Sequence, residues 1–255
     1  MKLGDDPRRP WIVAHRGASA ALPENTRVAF REALAQGCDA VETDVRLSAD
    51  GVPVLHHDAT LARSGLPGLR VGDLPAAELL RLPAAGSRND RDGDDAIPSL
   101  CDGLEILAGR SRVLLELKPE GRAGRDLELV RRTVETLRAA GEGTPAALLS
   151  FGAELLDAAA RLEPGIPRVL NIGPFARFGP RLRSSLERCD AVCAHVRAVD
   201  GDLIRGVREI SRPLWVYTCN DEERVEHALA AGAGAIVTDR PGWLGRLLRR
   251  RGLAG

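Results

Sequence analysis

Three acidic residues stand in segments that otherwise read as buried strands. Glu42 and Asp44 interrupt the run AVETDVRL, and Glu116 interrupts VLLELKP. Residues two apart in a strand leave the same face, so Glu42 points with Asp44 and Glu116 points with Lys118. Adjacent strands lie about 4.8 Å apart, close enough for the three carboxylates to converge. Three such groups cannot all stay ionised in a low-dielectric mouth without a compensating cation. Oxygen-only donors select one hard divalent ion, Mg²⁺ or Ca²⁺, over zinc or copper. The competing use of these acids is a set of structural salt bridges to Arg16, Arg46 and Lys118. His15 and His57 end neighbouring runs and are suited to carrying protons. Lys2 and Lys118 are the only lysines among 36 basic side chains, all the rest being arginine. A compact ammonium kept at 118 donates to one oxygen in a way that a planar guanidinium does not. A divalent ion, Arg16, Lys118 and two histidines together suit attack on a phosphate ester. The cations neutralise charge growing on phosphoryl oxygens, and the histidines move protons.

The elements that must position these groups alternate regularly. Short apolar runs at 11–14, 40–47, 113–117, 146–151, 168–172, 191–196, 214–218 and 235–238 are predicted strands. Helical periodicity fills 26–36, 127–140, 154–162, 203–210 and 222–231, with Asn25 expected to cap the first helix and Gly37 and Gly141 closing 26–36 and 127–140. Eight strands, each followed by a helix or a helix-length gap, predict an α/β fold: a single (β/α)₈ TIM barrel over residues 1–255. An open doubly wound sheet is the alternative, weakened because no G-x-G-x-x-G follows the first strand. Residues 52–57 are expected to continue the second strand, ahead of an irregular insertion over about 58–98. That insertion carries the polar run RNDRDGDD. With Asp102 the run offers five acids, which are expected to form a solvated loop rather than a cation site.

Composition narrows the classes further. Basic and acidic residues balance at 36 each, and only three Trp, one Tyr and four Phe occur in 255 residues. Neither a phosphate-neutralising surface nor a base-stacking platform is expected, so no nucleic-acid partner is assigned. No apolar run reaches the roughly 18 residues of a membrane span, and the opening residues lack the apolar core of an export signal. The five scattered cysteines are expected to be reduced and buried, the compartment cytoplasmic, and no stable membrane anchor is foreseen. The oligomeric state stays open.

The segment from His15 to Arg63, HRGASAALPENTRVAFREALAQGCDAVETDVRLSADGVPVLHHDATLAR, closely resembles the opening signature of the glycerophosphodiester phosphodiesterase family. Further matches follow in the family's order: IPSL from Ile97, LELKP from Leu115, SF at Ser150 and Phe151, YTCND from Tyr217 and AGAGAIVTDRP from Ala231. The resemblance implies a TIM barrel that hydrolyses glycerophosphodiesters, such as glycerophosphocholine or glycerophosphoethanolamine, to glycerol 3-phosphate and an alcohol. It implies His15 and His57 as the acid/base pair, and Glu42, Asp44 and Glu116 as ligands of one Mg²⁺ or Ca²⁺. Arg16 and Lys118 match the cations that contact phosphate. His57 is preferred to His56 because it directly precedes Asp58. Asp239 is expected to order the barrel rim. The reaction is expected to pass through a cyclic phosphate made by the neighbouring glyceryl hydroxyl, with direct attack by water as the alternative.

The chain departs from the family at Tyr217, where tryptophan is frequent. Tyr217 is therefore assigned to substrate binding, and Trp215, two residues earlier on the same face, is its rival for the pocket. The role of His195 at the end of the sixth predicted strand is left open. A lysophospholipase D acting at a lipid surface is the second enzymatic reading; its interfacial candidate is the basic amphipathic stretch WLGRLLRRR at 243–251. A phosphodiester-binding protein without catalysis is the third.

Overall fold

Strands buried on both faces read as continuous apolar runs, and a parallel sheet needs a crossover after each strand. The chain follows that rule in a computed structural model that describes residues 8–87, 94–141 and 143–253. Its elements in order are β1 (Trp11–His15), α1 (Arg27–Ala35), β2 (Ala40–Leu47), β3 (Pro53–Leu55), β4 (Thr60–Leu61), β5 (Leu66–Arg70), α2 (Ala76–Leu79), α3 (Leu100–Leu107), β6 (Arg112–Leu117) and α4 (Ala123–Ala140). After these come β7 (Ala146–Ser150), α5 (Ala153–Leu162), β8 (Arg168–Ile172), α6 (Pro180–Glu187), β9 (Ala191–His195), α7 (Gly201–Glu209), β10 (Leu214–Tyr217), α8 (Glu222–Ala231), β11 (Ala235–Thr238) and α9 (Pro241–Arg250).

Eight strands pair in parallel in the order β1, β11, β10, β9, β8, β7, β6, β2, and β1 pairs with β2 to close the ring. This is the (β/α)₈ barrel expected from the alternation of runs. Alternate side chains point inward and fill it: Val13, Ala40, Leu114, Leu149, Val169 and Trp215 belong to one buried cluster. Their neighbours along each strand, such as Leu115, Leu148, Leu170 and Val192, belong to a second cluster shared with the helices. The inward positions continue upward past the apolar layers, and there the same alternation delivers the polar residues.

Two expectations need correction. Residues 52–57 do not continue β2; Asp50 and Gly51 turn the chain, and β3 runs back antiparallel to β2, with Val45 opposite Leu55. Gly51 has φ +80°, which suits glycine and makes the turn. The insertion is also more regular than foreseen. It forms the β4–β5 hairpin and α2 over its own apolar cluster of Val54, Leu61, Val71, Leu79, Ala84 and Ile97. Asp90 and Asp92 of the polar run lie outside the described residues. Asp94 pairs with Arg31, Asp95 accepts from Ser87, and Asp102 pairs with Arg27.

The amphipathic stretch near the C-terminus forms α9. Leu244, Leu247 and Leu248 are buried in the main core, and Arg246, Arg249 and Arg250 are exposed. Its apolar face is committed to the barrel and cannot serve as the lipid-facing surface considered above. Among the described residues no helix is long and apolar enough to cross a membrane. All five cysteines are free; Cys189, Cys193 and Cys219 are buried, but Cys38 is half-buried and Cys101 exposed, against the expectation for those two.

Trp215 is fully buried inside the barrel, its ring 5.9 Å from that of Trp11. Trp215→Ala is expected to destabilise the fold by about 3–5 kcal/mol, as for other large-to-small core changes, measured by denaturant titration. A loss under about 1 kcal/mol would show that the barrel interior does not depend on it.

Candidate active site

The upper ends of β1, β2, β6 and their loops bring the predicted residues into one place. Parallel pairing sets Asp44 beside Glu116 and His15 beside Glu42. One carboxylate oxygen from each of Glu42, Asp44 and Glu116 lies within 4.8 Å of the others, and all three residues are buried. A cavity of about 100 Å³ opens onto Glu42 and Glu116, with His15, Arg16, His57 and Lys118 beside them; Asp44 does not line it. Tyr217 lines the opposite side, whereas Trp215 is sealed in the layer below.

Two cations already touch the acids. Arg16 Nε lies 3.0 Å from Asp44 Oδ2, and Lys118 Nζ lies 2.9 Å from Asp44 Oδ1 and pairs also with Glu116. Arg46, the third basic side chain considered for these acids, instead donates to the His57 carbonyl and faces Glu120. The positive charge is thus concentrated on Asp44. Burial opposes ionisation of Asp44, but Lys118 and Arg16 outweigh it and hold the carboxyl below its usual range. Glu42 and Glu116 go the other way: burial and the nearby charge of Asp44 raise both. Two of the three acids therefore lack sufficient counter-charge. An oxygen-only donor set with that deficit fits a hard divalent cation.

Local structure explains how each group is held. Arg16 adopts φ +55° and Gly17 φ +85°, a left-handed turn directly after β1. A Cβ on Gly17 would meet the Ala29 carbonyl carbon at 2.7 Å, so glycine is needed both for space and for conformation. The turn returns Arg16 over the carboxylates, where Glu24 clamps it at 3.0 Å. Glu24 also pairs with Arg63, which in turn holds Asp58 at 2.6 Å.

Both histidines have a carboxylate behind them. His15 Nδ1 donates to Asp239 Oδ1 at 2.6 Å, leaving Nε2 4.0 Å from Glu42. His57 Nδ1 donates to Asp58 Oδ1 at 2.7 Å. Such bonds fix the tautomer and aim the other ring nitrogen. Burial disfavours charge on His15, but the Asp239 bond and Glu42 outweigh it and raise its pKa; burial lowers that of His57. His56 is 2% exposed and bonded to the Thr60 carbonyl, away from the cavity. His195 accepts from the Arg197 backbone and stands edge-on to Tyr217, with ring centres 5.4 Å apart. It supports the Tyr217 ring. His227 is exposed on α8 and bonded to the Val199 carbonyl.

Two residues do more than expected. Asn25 does not cap α1; Thr26 does, its hydroxyl accepting from the Ala29 amide at 3.2 Å. Asn25 is buried, donates to Asp44 Oδ2 at 2.8 Å and accepts from Thr43. The sequence signal was the cap-forming Thr26 one position later, which frees Asn25 for the strand. Asp239 orders the rim by holding His15, and is itself fixed by Ser19 and Asn220.

A closed (β/α)₈ barrel whose strand ends gather acids, cations and two braced histidines defines an enzyme of the phosphoric diester hydrolase class. Residues 15–243 match the sequence profile of the Glycerophosphoryl diester phosphodiesterase family, and the chain belongs to that family. It is similar to the glycerophosphodiester phosphodiesterase of Caldanaerobacter subterraneus subsp. tengcongensis, 26% identical with 94% of this chain and 98% of that one covered. An Oleispira antarctica phosphodiesterase, solved in complex with the product sn-glycerol-3-phosphate, is 30% identical with a TM-score of 0.83, covering 94% of this chain and 97% of the other. A glycerophosphodiester phosphodiesterase from Agrobacterium tumefaciens is 29% identical, with a TM-score of 0.71 and coverages of 91% and 97%.

The clamp of Asp58, Arg63 and Glu24 yields a pH prediction. Burial raises the Asp58 carboxyl, but Arg63 and His57 outweigh it and bring it to about 2. A depressed carboxyl adds stability above its unfolded pKa of about 3.9 and loses it as pH falls through the folded value. The melting-temperature gap between wild type and Arg63→Ala should therefore be full above about pH 5 and narrow towards pH 2. A gap that widens on acidification would contradict this arrangement.

Proposed function

We propose that the chain hydrolyses glycerophosphodiesters to glycerol 3-phosphate and an alcohol, with one Mg²⁺ or Ca²⁺ held by Glu42, Asp44 and Glu116. The observation that carries this reading is the convergence of three carboxylates, two cations and two carboxylate-backed histidines, all but Asp44 lining one small cavity. The product seen in the Oleispira relative supports glycerol 3-phosphate as the product here. A divalent ion in such a donor set supplies charge neutralisation on phosphoryl oxygens.

The remaining steps belong to this chain's own side chains. Arg16 and Lys118 bind the phosphoryl group, their charge already oriented by Glu24 and Asp44. His15 and His57 carry the protons: one takes the proton of the attacking hydroxyl, and the other gives one to the departing alcohol oxygen as the P–O bond breaks. The nucleophile in this reading is the glyceryl hydroxyl next to the ester, already in place, which saves the entropy of recruiting water. Water then opens the cyclic phosphate. Tyr217 walls the glyceryl side.

Chelation by EDTA should abolish hydrolysis of glycerophosphocholine or glycerophosphoethanolamine, and added Mg²⁺ or Ca²⁺ should restore it. His15→Ala and His57→Ala should each lower kcat by about 10² to 10⁴, the usual worth of a general acid or base. Full activity in the presence of EDTA, or losses under about tenfold at both histidines, would refute the reading. Normal turnover of an analogue lacking the neighbouring hydroxyl would refute the cyclic route alone.

A further inference from the structure

The rim that carries the catalytic cavity also carries the least covered aromatic side chain. Among the described residues Phe175 is the most exposed large hydrophobic group, at 88%. It stands in the loop GPFARFG, residues 173–179, between β8 and α6. The eight barrel strands run parallel, so this loop leaves the same end of the barrel as Arg16, Lys118 and Phe151. Single exposed hydrophobic residues are ordinary. Three features set this one apart.

The loop is built to hold the ring out. The Ala176 amide donates to the Gly173 carbonyl at 3.2 Å, closing a four-residue turn with Pro174 at its second position, where the fixed φ of proline is favoured. Three residues after Phe175, Phe178 packs inward, its ring lying over Gly206 of α7 and leaving no room for a Cβ there. One phenylalanine pins the loop, and the other is presented to solvent. Nor is the presented ring isolated. Phe151, 48% exposed on the neighbouring loop, abuts the turn, and a Cβ on Gly173 would meet its ring at 3.9 Å. A groove of about 520 Å³ runs from Phe151 past Ile172, Ala176 and Leu182, and it shares Phe151 with the catalytic cavity.

The charge on this patch is cationic and uncompensated. Arg177 and Arg181 are exposed and line the groove, and among the described residues neither side chain has an ion pair or a hydrogen bond. Further along the same helix Arg183 pairs with Glu187 and Glu209, and Arg188 pairs with Asp157. Glu154 is the single acid among the residues lining the groove. An aromatic ring held out beside free guanidinium groups suits a lipid headgroup region, where the ring enters the acyl boundary and the cations meet lipid phosphates. A protein partner needs about 800 Å² of complementary surface on each side; a bilayer needs only the inserted ring and the phosphates.

We propose that this loop docks the barrel reversibly on an anionic lipid bilayer, with Phe175 inserted and Arg177 and Arg181 on lipid phosphates. The mouth of the catalytic cavity is thereby held at the lipid surface. The docking face is separate from α9, whose leucines are committed to the core. The inference goes beyond the glycerophosphodiester reading and does not depend on it.

Co-sedimentation of the full chain with vesicles of phosphatidylglycerol or of phosphatidylcholine tests it. Wild type should bind phosphatidylglycerol vesicles at least about tenfold more tightly than phosphatidylcholine vesicles, and high salt should release it by screening exposed charge. Phe175→Ser should weaken binding about 10- to 100-fold, the worth of burying one such ring. Arg177→Gln combined with Arg181→Gln should weaken it about 25-fold, at roughly fivefold for each cation, and reduce its salt dependence. These variants should keep the wild-type melting temperature and the wild-type turnover of glycerophosphocholine without vesicles. Wild type left in the supernatant with both vesicles, equal binding to both, or variants that sediment like wild type would overturn the proposal. Dimerisation abolished by Phe175→Ser, with no vesicle binding, would assign the patch to a second copy instead. A raised KM for glycerophosphocholine with vesicle binding unchanged would assign it to substrate and equally overturn docking. A wild type that binds phosphatidylglycerol vesicles as described but hydrolyses no glycerophosphodiester would refute the functional reading and leave the docking face supported.

Discussion

Three carboxylates are forced into proximity by strand pairing, and the buried mouth of the barrel provides too little positive charge to balance them. That imbalance organises the site. β2 contributes Glu42 and Asp44 from alternate positions, and β6 sets Glu116 against Asp44. Arg16 and Lys118 offset part of the charge and favour Asp44, leaving Glu42 and Glu116 pushed towards their neutral forms. Low dielectric magnifies both the repulsion and the value of any cation that relieves it.

The rest of the architecture keeps these groups from relaxing away from one another. Below them the barrel is packed solid by residues such as Leu114, Val169 and Trp215, so the acids cannot sink inward. Above them the left-handed turn at Arg16 and Gly17 folds a guanidinium back onto the cluster. Asn25, also at positive φ, anchors Asp44 from the loop before α1. Each histidine is held from behind by a carboxylate, His15 by the distant Asp239 after β11 and His57 by its neighbour Asp58 after β3. The ordered insertion thus bears directly on the candidate site, because Asp58 and Arg63 lie within it and reach Glu24.

Much of this was legible in the residues alone. β2, β8 and β11 begin and end where apolar runs at 40–47, 168–172 and 235–238 do, since parallel strands buried on both faces have little else in their composition. The chemical side chains were legible because acids and a lone lysine are costly inside such runs. What escaped depended on contacts distant in sequence. Asn25 has the composition of a cap, and only its reach to Asp44, 19 residues on, shows its use. Asp239 lies 224 residues from His15. The order in the insertion comes from Val54, Leu61, Val71, Leu79 and Ile97 meeting in a cluster that no local period announces. The reversal into β3 was signalled by Asp-Gly at 50–51, a turn pair that the apolar character of 52–57 obscured.

The most direct test of the account is a crystal grown with Mn²⁺ or Ca²⁺ and measured for anomalous scattering. The account predicts a peak within coordination distance of carboxylate oxygens from Glu42, Asp44 and Glu116 together. An empty position in that crystal, with the same acids tied only to Arg16 and Lys118, would contradict it.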